Sequence, residues 1–208
     1  MPSGRLDKSG FGESGIINRL KVDDFEDANA AICLAVRDED FFVGGYVTAG
    51  ADAFLNPGTK KGIVFAFGRD GKPLQNWGAG GHVKLPFIPE QIEVLKNGHC
   101  VATATDSNYN ELDTLHVAVI DRSGNIVQKI SYEDTLISKL TRTGLYRGVQ
   151  EGRHIRVYSV LSKKTEFLSK AMLSNPVALD IVADVGCVLV YSHEGKLIRR
   201  EMQPVVDR

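Results

Sequence analysis

The residues best suited to chemistry lie in Asp106-Ser107-Asn108-Tyr109-Asn110-Glu111-Leu112-Asp113, where oxygen-bearing side chains fall at alternating positions. Calcium loops present ligands in this way, but they also need a glycine for the sharp turn and a bidentate glutamate at the twelfth position. This stretch has no glycine, and its twelfth residue is Val117. A solvated loop explains the composition as well. A second polar segment, Thr48 to Lys61, carries Asp52, Phe54 and Asn56-Pro57-Gly58. Aromatic faces beside amide and carboxylate groups suit a sugar or another small polar ligand. The candidate ligand-binding residues are therefore Asp52, Phe54, Asn56, Asp106, Asn108, Tyr109, Asn110 and Glu111.

Other chemistries find no sequence signature. There is no Gly-x-Ser-x-Gly elbow, no phosphate-binding Gly-x-x-x-x-Gly-Lys-Ser/Thr loop and no His-Glu-x-x-His. Gly78-x-Gly80-Gly81 precedes a strand pattern rather than a helix, so it reads as corner geometry and not as a phosphate cradle. His82, His99, His116, His154 and His193 are scattered without a second ligand at metal spacing and read as partly exposed strand residues. Of these, His99 and His116 fall in or beside adjacent strand patterns, so a shared environment is open to them. Cys33, Cys100 and Cys187 are odd in number, widely spaced and set in apolar runs, which favours core packing over disulfides or thiolate metal sites. No catalytic residue, metal ligand or cofactor is assigned.

The elements that would hold these loops show an internal repeat, the feature to seek before any other. A Gly-aromatic corner occurs twice: Phe11-Gly12 aligns with Trp77-Gly78, Gly15 with Gly81, and Ile17 with Val83 after a one-residue slip. A strand–polar turn–strand element occurs three times, around Leu34 to Gly45, Ile92 to Thr103 and Leu179 to Val188. Each has alternating apolar residues flanking Asp, Asn or Gly, which is hairpin chemistry. A strand ending in a glycine turn also recurs, at Val64 to Lys72, Val117 to Asn125 and Val188 to Lys196, where Gly71, Gly124 and Gly195 supply positive φ. Trp77, the counterpart of Phe11, reads as a packing residue. Helical signals are weak, and Thr135 to Thr143 allows a turn or two at most.

Assembled, a unit has about four antiparallel strands, as a propeller blade does. The spacing from Gly71 to Gly124 is 53 residues, against about 40–50 for known blade repeats. The expected fold is all-β: a degenerate β-propeller-like array of three to four small antiparallel sheets in one repeat-built domain. Its units run roughly over 16–81, 82–134, 135–175 and 176–208, with 1–15 supplying a terminal strand. So few blades leave open a stack of sheets or closure by a second copy of the chain.

Bulk properties are those of a globular protein. Of the 208 residues, 43% are hydrophobic and 25% charged, with a net charge of −1. That balance gives no electrostatic reason for a nucleic-acid or anionic-membrane partner. No apolar run is long enough to span a bilayer, and the first residues lack the apolar core of a secretory signal. The expected location is the cytoplasm, or outside the cell by a route needing no N-terminal signal.

Gly4-Arg5-Leu6-Asp7 followed by Phe11-Gly12-x-x-Gly15-x-Ile17, with Leu34-x-Val36, a turn and Phe42-Val43-Gly44-Gly45-Tyr46, resembles the bacterial delta-sixty repeat family. The likeness covers about residues 4–130 and loosens over 131–208. It departs in the inserted Gly10 and in Asp38-Glu39-Asp40 before Phe41. The resemblance implies propeller-type blades, often in secreted or surface proteins, and brings no catalytic motif. The repeat register places the loops Thr48 to Lys61 and Asp106 to Thr114 on one edge of the sheet stack, where repeat proteins bind partners. The leading expectation is a non-enzymatic binding or scaffolding module for a protein or glycan partner. A carbohydrate- or small-ligand-binding protein, and a hydrolase or lyase with its site in a central channel, are the alternatives.

Overall fold

The computed structural model describes residues 28–48, 60–106, 113–151, 154–162, 165–169, 176–182, 186–193 and 196–204. Among them every regular element longer than a turn is a β-strand, and no helix is long and apolar enough to cross a membrane. The first sheet takes β1 (Ala28–Arg37), β2 (Asp40–Thr48), β3 (Lys60–Phe67) and β4 (His82–Leu85) in chain order, each antiparallel to the last. The second takes β5 (Gln91–Val94), β6 (Cys100–Asp106), β7 (Asp113–Ile120) and β8 (Ile126–Thr135), again in chain order. The third has seven strands. Its members β9 (Ile137–Thr141), β10 (Gly144–Glu151), β11 (His154–Ser159) and β12 (Thr165–Leu168) run in chain order. Beyond β12 come β15 (Lys196–Pro204), β14 (Gly186–His193) and β13 (Pro176–Val182).

The expected all-β chain of antiparallel sheets is what the residues form. The stretch Thr135 to Thr143, which allowed a helical turn, is instead the end of β8 followed by β9. Its β-branched residues fit a pleated surface better than a helix, where they lose rotamer freedom. The segment 1–15, with Phe11, lies outside the described residues, as does Gly195. The chain divides into two compact units, one holding residues up to 104 together with 117–130, the other holding 105–116 and 131–208.

In the first unit, three turns share one design. Gly71, Gly98 and Gly124 have φ of 73°, 84° and 82°. In each turn the glycine amide donates to the carbonyl three residues back, as in Gly98 N to Leu95 O at 2.8 Å and Gly124 N to Asp121 O at 3.1 Å. One residue further on, the chain rejoins the ladder, as in Leu95 N to His99 O at 2.8 Å and Asp121 N to Asn125 O at 2.9 Å. This is a three-residue hairpin loop closed by a residue in the left-handed region. A polar side chain secures each one: Asp121 Oδ1 accepts the amides of Ser123 and Asn125 at 2.9 and 2.8 Å, and Asp70 Oδ1 accepts Lys72 N at 3.0 Å. Those backbone donors, Asn125 above all for Asp121 and Lys72 for Asp70, hold both carboxyls below the usual aspartate range. The β1–β2 hairpin turns at Asp38-Glu39, with Asp38 at φ 53°.

The core of this unit lies between the first two sheets. Phe42, Val64, Ala66 and Val83 from one meet Ile92, Val94, Cys100, Ala102, Ala118 and Ile120 from the other. Trp77 is 4% exposed and packs edge-on against Phe42, ring centroids 5.6 Å apart. The corner it caps is reached by the next turn: Gly78 N donates to Ser123 O at 2.8 Å. A Cβ on Gly124 would stand 2.1 Å from Gly78 N, so only glycine serves there for both φ and space. On the opposite face of the first sheet, Val47, Ile63, Phe65 and Phe67 are also buried. β3 thus reads as a continuous apolar run, as strands buried on both faces do.

The second unit is organised differently. Its core draws Ile137 from β9, Tyr146 from β10, Ile155 and Val157 from β11 and Phe167 from β12. Leu179 from β13, Cys187 from β14, and Ile198 and Met202 from β15 complete it. The edge strands β9 and β13 approach within 8 Å, Cα to Cα, without a ladder between them. One curved sheet therefore wraps a single core. Among the described residues, β12 and β15 are joined through Phe167–Pro204 and Leu168–Gln203. Cys100 and Cys187 are buried in the two cores and Cys33 is half-buried. Desolvation raises Cys33 to about 11 and Cys100 to about 12, so these two behave as core-edge and core residues rather than reactive thiols.

Candidate functional site

The two connections that carry the candidate residues each join the second strand of a four-stranded sheet to the third. Thr48 pairs with Lys60 across β2 and β3, so that connection spans 49–59. Its base is ordered: Thr48 is buried, and the Lys60 ammonium lies 4.7 Å above the centroid of the Tyr46 ring. Asp52, Phe54 and Asn56 lie outside the described residues. Between β6 and β7 the connection spans 107–112, since Asp106 ends one strand and Asp113 begins the next. Asn108, Tyr109, Asn110 and Glu111 also lie outside the described residues.

Asp106 is the one candidate ligand residue whose surroundings are described. Its Oδ2 stands 2.9 Å from His116 Nε2, and His116 Nδ1 stands 2.9 Å from Ser131 Oγ. β7 lies between β6 and β8 in the sheet, so a His at its centre meets partners on both flanks. Carboxylate, imidazole and hydroxyl in a chain is the layout of a nucleophilic triad. The Asp106 side chain is 76% exposed, however, whereas the orienting carboxylate of a triad is buried so that its field is not screened by water. The chain of bonds ties the start of the 107–112 connection down to β8. His116 was read from the sequence as a strand residue without a carboxylate partner; it has one. The register that brings Asp106 and Ser131 beside it involves three strands, and no spacing in the sequence carries that.

A cleft of about 460 Å³ opens in the second unit, lined by the end of β8 and by β10 and β11. Tyr132 and Tyr158 bring aromatic rings, Val149 and Val160 apolar surface, and Asp134, Arg147, Gln150, Glu151 and Ser159 polar groups. Glu151 is already engaged: its Oε2 is 2.6 Å from Arg156 Nε and its Oε1 accepts the Tyr158 hydroxyl. Arg147 is not. Its guanidinium lies 4.8 Å from the Tyr132 ring centroid, and Nη2 donates to Glu133 O at 2.8 Å. Its Nε is buried without an acceptor among the described residues. Arg156 Nε likewise lacks a well-directed hydrogen bond, but the close Glu151 oxygen compensates its charge. Burial lowers the Arg147 pKa from its ordinary value, and burial raises that of Tyr132, whose hydroxyl donates to Val160 O at 3.3 Å. At the rim Asp134 has φ 57°, a left-handed conformation that aspartate tolerates better than most residues.

None of the cleft residues stands out in the sequence. Tyr132, Arg147 and Tyr158 come from three different strands: the pairing of β10 with β11 sets Arg147 opposite Tyr158, and Tyr132 of β8 meets Arg147 by its ring. No protein-family model matches the chain, and no curated protein matches it in sequence.

Proposed function

We propose that this chain is a non-enzymatic binding or scaffolding module of propeller-like kind, akin to delta-sixty repeats, that takes a protein or glycan partner through the loops 48–61 and 106–114. One observation supports the reading above others. In both four-stranded sheets the connection between second and third strands, 49–59 and 107–112, is longer than the hairpin turns at 38–39 and 95–99 and the 121–125 turn, while the longer 68–81 link between β3 and β4 is taken up by the packed Trp77 corner. Length is tolerated cheaply in loops, but recognition concentrates where a rigid sheet presents them. The bases of both are fixed, by Lys60 on Tyr46 and by the Asp106–His116–Ser131 bonds. A second copy of the chain could complete the array.

The test replaces both connections with two-residue Asn-Gly turns. Partner capture, scored by affinity pull-down with mass spectrometry and on a glycan array, should be lost while the melting temperature changes by less than about 3 °C, a shift of about 1 kcal/mol in a chain of this size. Undiminished capture refutes the reading. The hydrolase alternative has a single observation in its favour, the Ser131–His116–Asp106 chain. A panel of p-nitrophenyl esters decides it: turnover that disappears in Ser131→Ala would establish it, and turnover equal in both proteins would dismiss it.

A further inference from the structure

The cleft of the second unit holds an arginine whose binding capacity is mostly unspent. A guanidinium has five N–H donors in a planar fork suited to carboxylates. Arg147 uses one hydrogen bond within the described chain, to Glu133 O, and keeps a buried Nε without an acceptor. Its contact with the Tyr132 ring, 4.8 Å from the centroid, helps hold the guanidinium in place. A fixed, partly desolvated cation with open donors is arranged for an oxyanion, because charge-assisted bonds are strongest where water is scarce. Glu151 does not fill this role, being bound by Arg156 and Tyr158, and Asp134 acts on Arg147 through its charge, with no ion pair or hydrogen bond joining the two among the described residues.

The remaining lining narrows the ligand. At about 460 Å³ the cleft lies within the roughly 300–1,000 Å³ of small-molecule sites, larger than a bare inorganic anion needs. The Tyr158 ring, Val149 and Val160 offer a face for a ring, and Asp134 and Gln150 offer acceptors for hydroxyls. We infer that this cleft binds a small hydroxylated cyclic carboxylate, of the sugar-acid class, with the carboxylate on Arg147, the ring against Tyr158 and hydroxyls donated to Asp134. The site uses none of the residues in the proposed loop edge except through the fold they share, so it stands or falls separately.

Isothermal titration of the full chain with D-glucuronate and with D-glucose tests it. Glucuronate should bind at least tenfold more tightly than glucose. Arg147→Gln should remove that preference, and Asp134→Asn should weaken glucuronate severalfold while preserving its advantage over glucose. Thermal melts of each variant report folding. Comparison of the two sugars on the unaltered protein needs no variant to fold, and equal or absent binding of both overturns the inference. Retained preference in a folded Arg147→Gln overturns it too. The loop-shortened protein should still bind glucuronate, which separates failure here from failure of the loop reading.

Discussion

Gly98 and Gly124 offer a controlled measurement of what the repeat's corner contact contributes. They occupy the same turn position with φ of 84° and 82°, so alanine at either suffers the same left-handed strain, about 1–2 kcal/mol. Their surroundings differ. A Cβ at 98 would meet Arg122 Nε at 2.5 Å, the far part of a flexible side chain, whereas a Cβ at 124 would meet the Gly78 backbone at 2.1 Å. Gly124→Ala must therefore push the corner away, weakening the Gly78–Ser123 bond, about 0.5–1.5 kcal/mol. It also loosens the Trp77–Phe42 edge contact, a further 0.5–1.5 kcal/mol or so. Gly124→Ala should thus be less stable than Gly98→Ala by about 1–3 kcal/mol. Trp77 is the only tryptophan, so urea unfolding followed by its fluorescence reads this corner directly, with midpoint shifts converted through a common m-value. Asparagine removes most of the φ strain and leaves the Cβ. Gly98→Asn should accordingly be near wild type and Gly124→Asn still destabilised. Equal costs at the two positions, within about 0.5 kcal/mol, would refute the close-approach reasoning.

Other outcomes follow from buried groups. Ser169→Ala removes the Oγ that accepts Ile155 N at 2.8 Å beside a fully buried Ile155, and should cost about 1–3 kcal/mol in thermal or urea unfolding. Cys33 titrates at about 11 in the folded chain, above the usual thiol value of about 8.5. A raised acidic pKa means that the unfolded thiol ionises first, so stability is intact below pH 8.5 or so and declines toward pH 11. Cys33→Ala should flatten that alkaline decline, and a wild-type profile equally steep in the variant would contradict the assignment. Tyr132→Phe loses only the 3.3 Å bond to Val160 O and keeps its ring beneath Arg147. It should be destabilised by less than about 1.5 kcal/mol, with Tyr132→Leu clearly worse in the same melt.

What the sequence reveals here follows how local each cause is. Gly71, Gly98 and Gly124 announce their turns because positive φ is a single-residue requirement. The hairpins around Asp38 and Asn97 and the pairing of β13 with β14 are equally legible, since the paired strands lie within a few residues of each other in the chain. Trp77 was placed correctly as a packing residue, and it is buried. Non-local register was not legible. The β12–β15 seam rests on two residue pairs more than 30 positions apart in the chain, too short to leave a pattern. The same blindness hid His116 between Asp106 and Ser131, and hid the cleft, whose Tyr132, Arg147 and Tyr158 look like ordinary amphipathic strand residues until the end of β8 meets β10 and β11.

The seam also governs how the molecule comes apart. Among the described residues, strands β13, β14 and β15 satisfy their ladder bonds almost wholly among themselves, and two pairings tether them to β12. Release of this trio breaks little hydrogen bonding but strips cover from Ile155 and Val157. The barrier to opening is thus hydrophobic, and it weakens on cooling as hydrophobic forces do. Amide exchange along β11 and β12 should quicken in the cold relative to β2 and β3, making the C-terminal trio a thermal latch whose grip is loosest at low temperature.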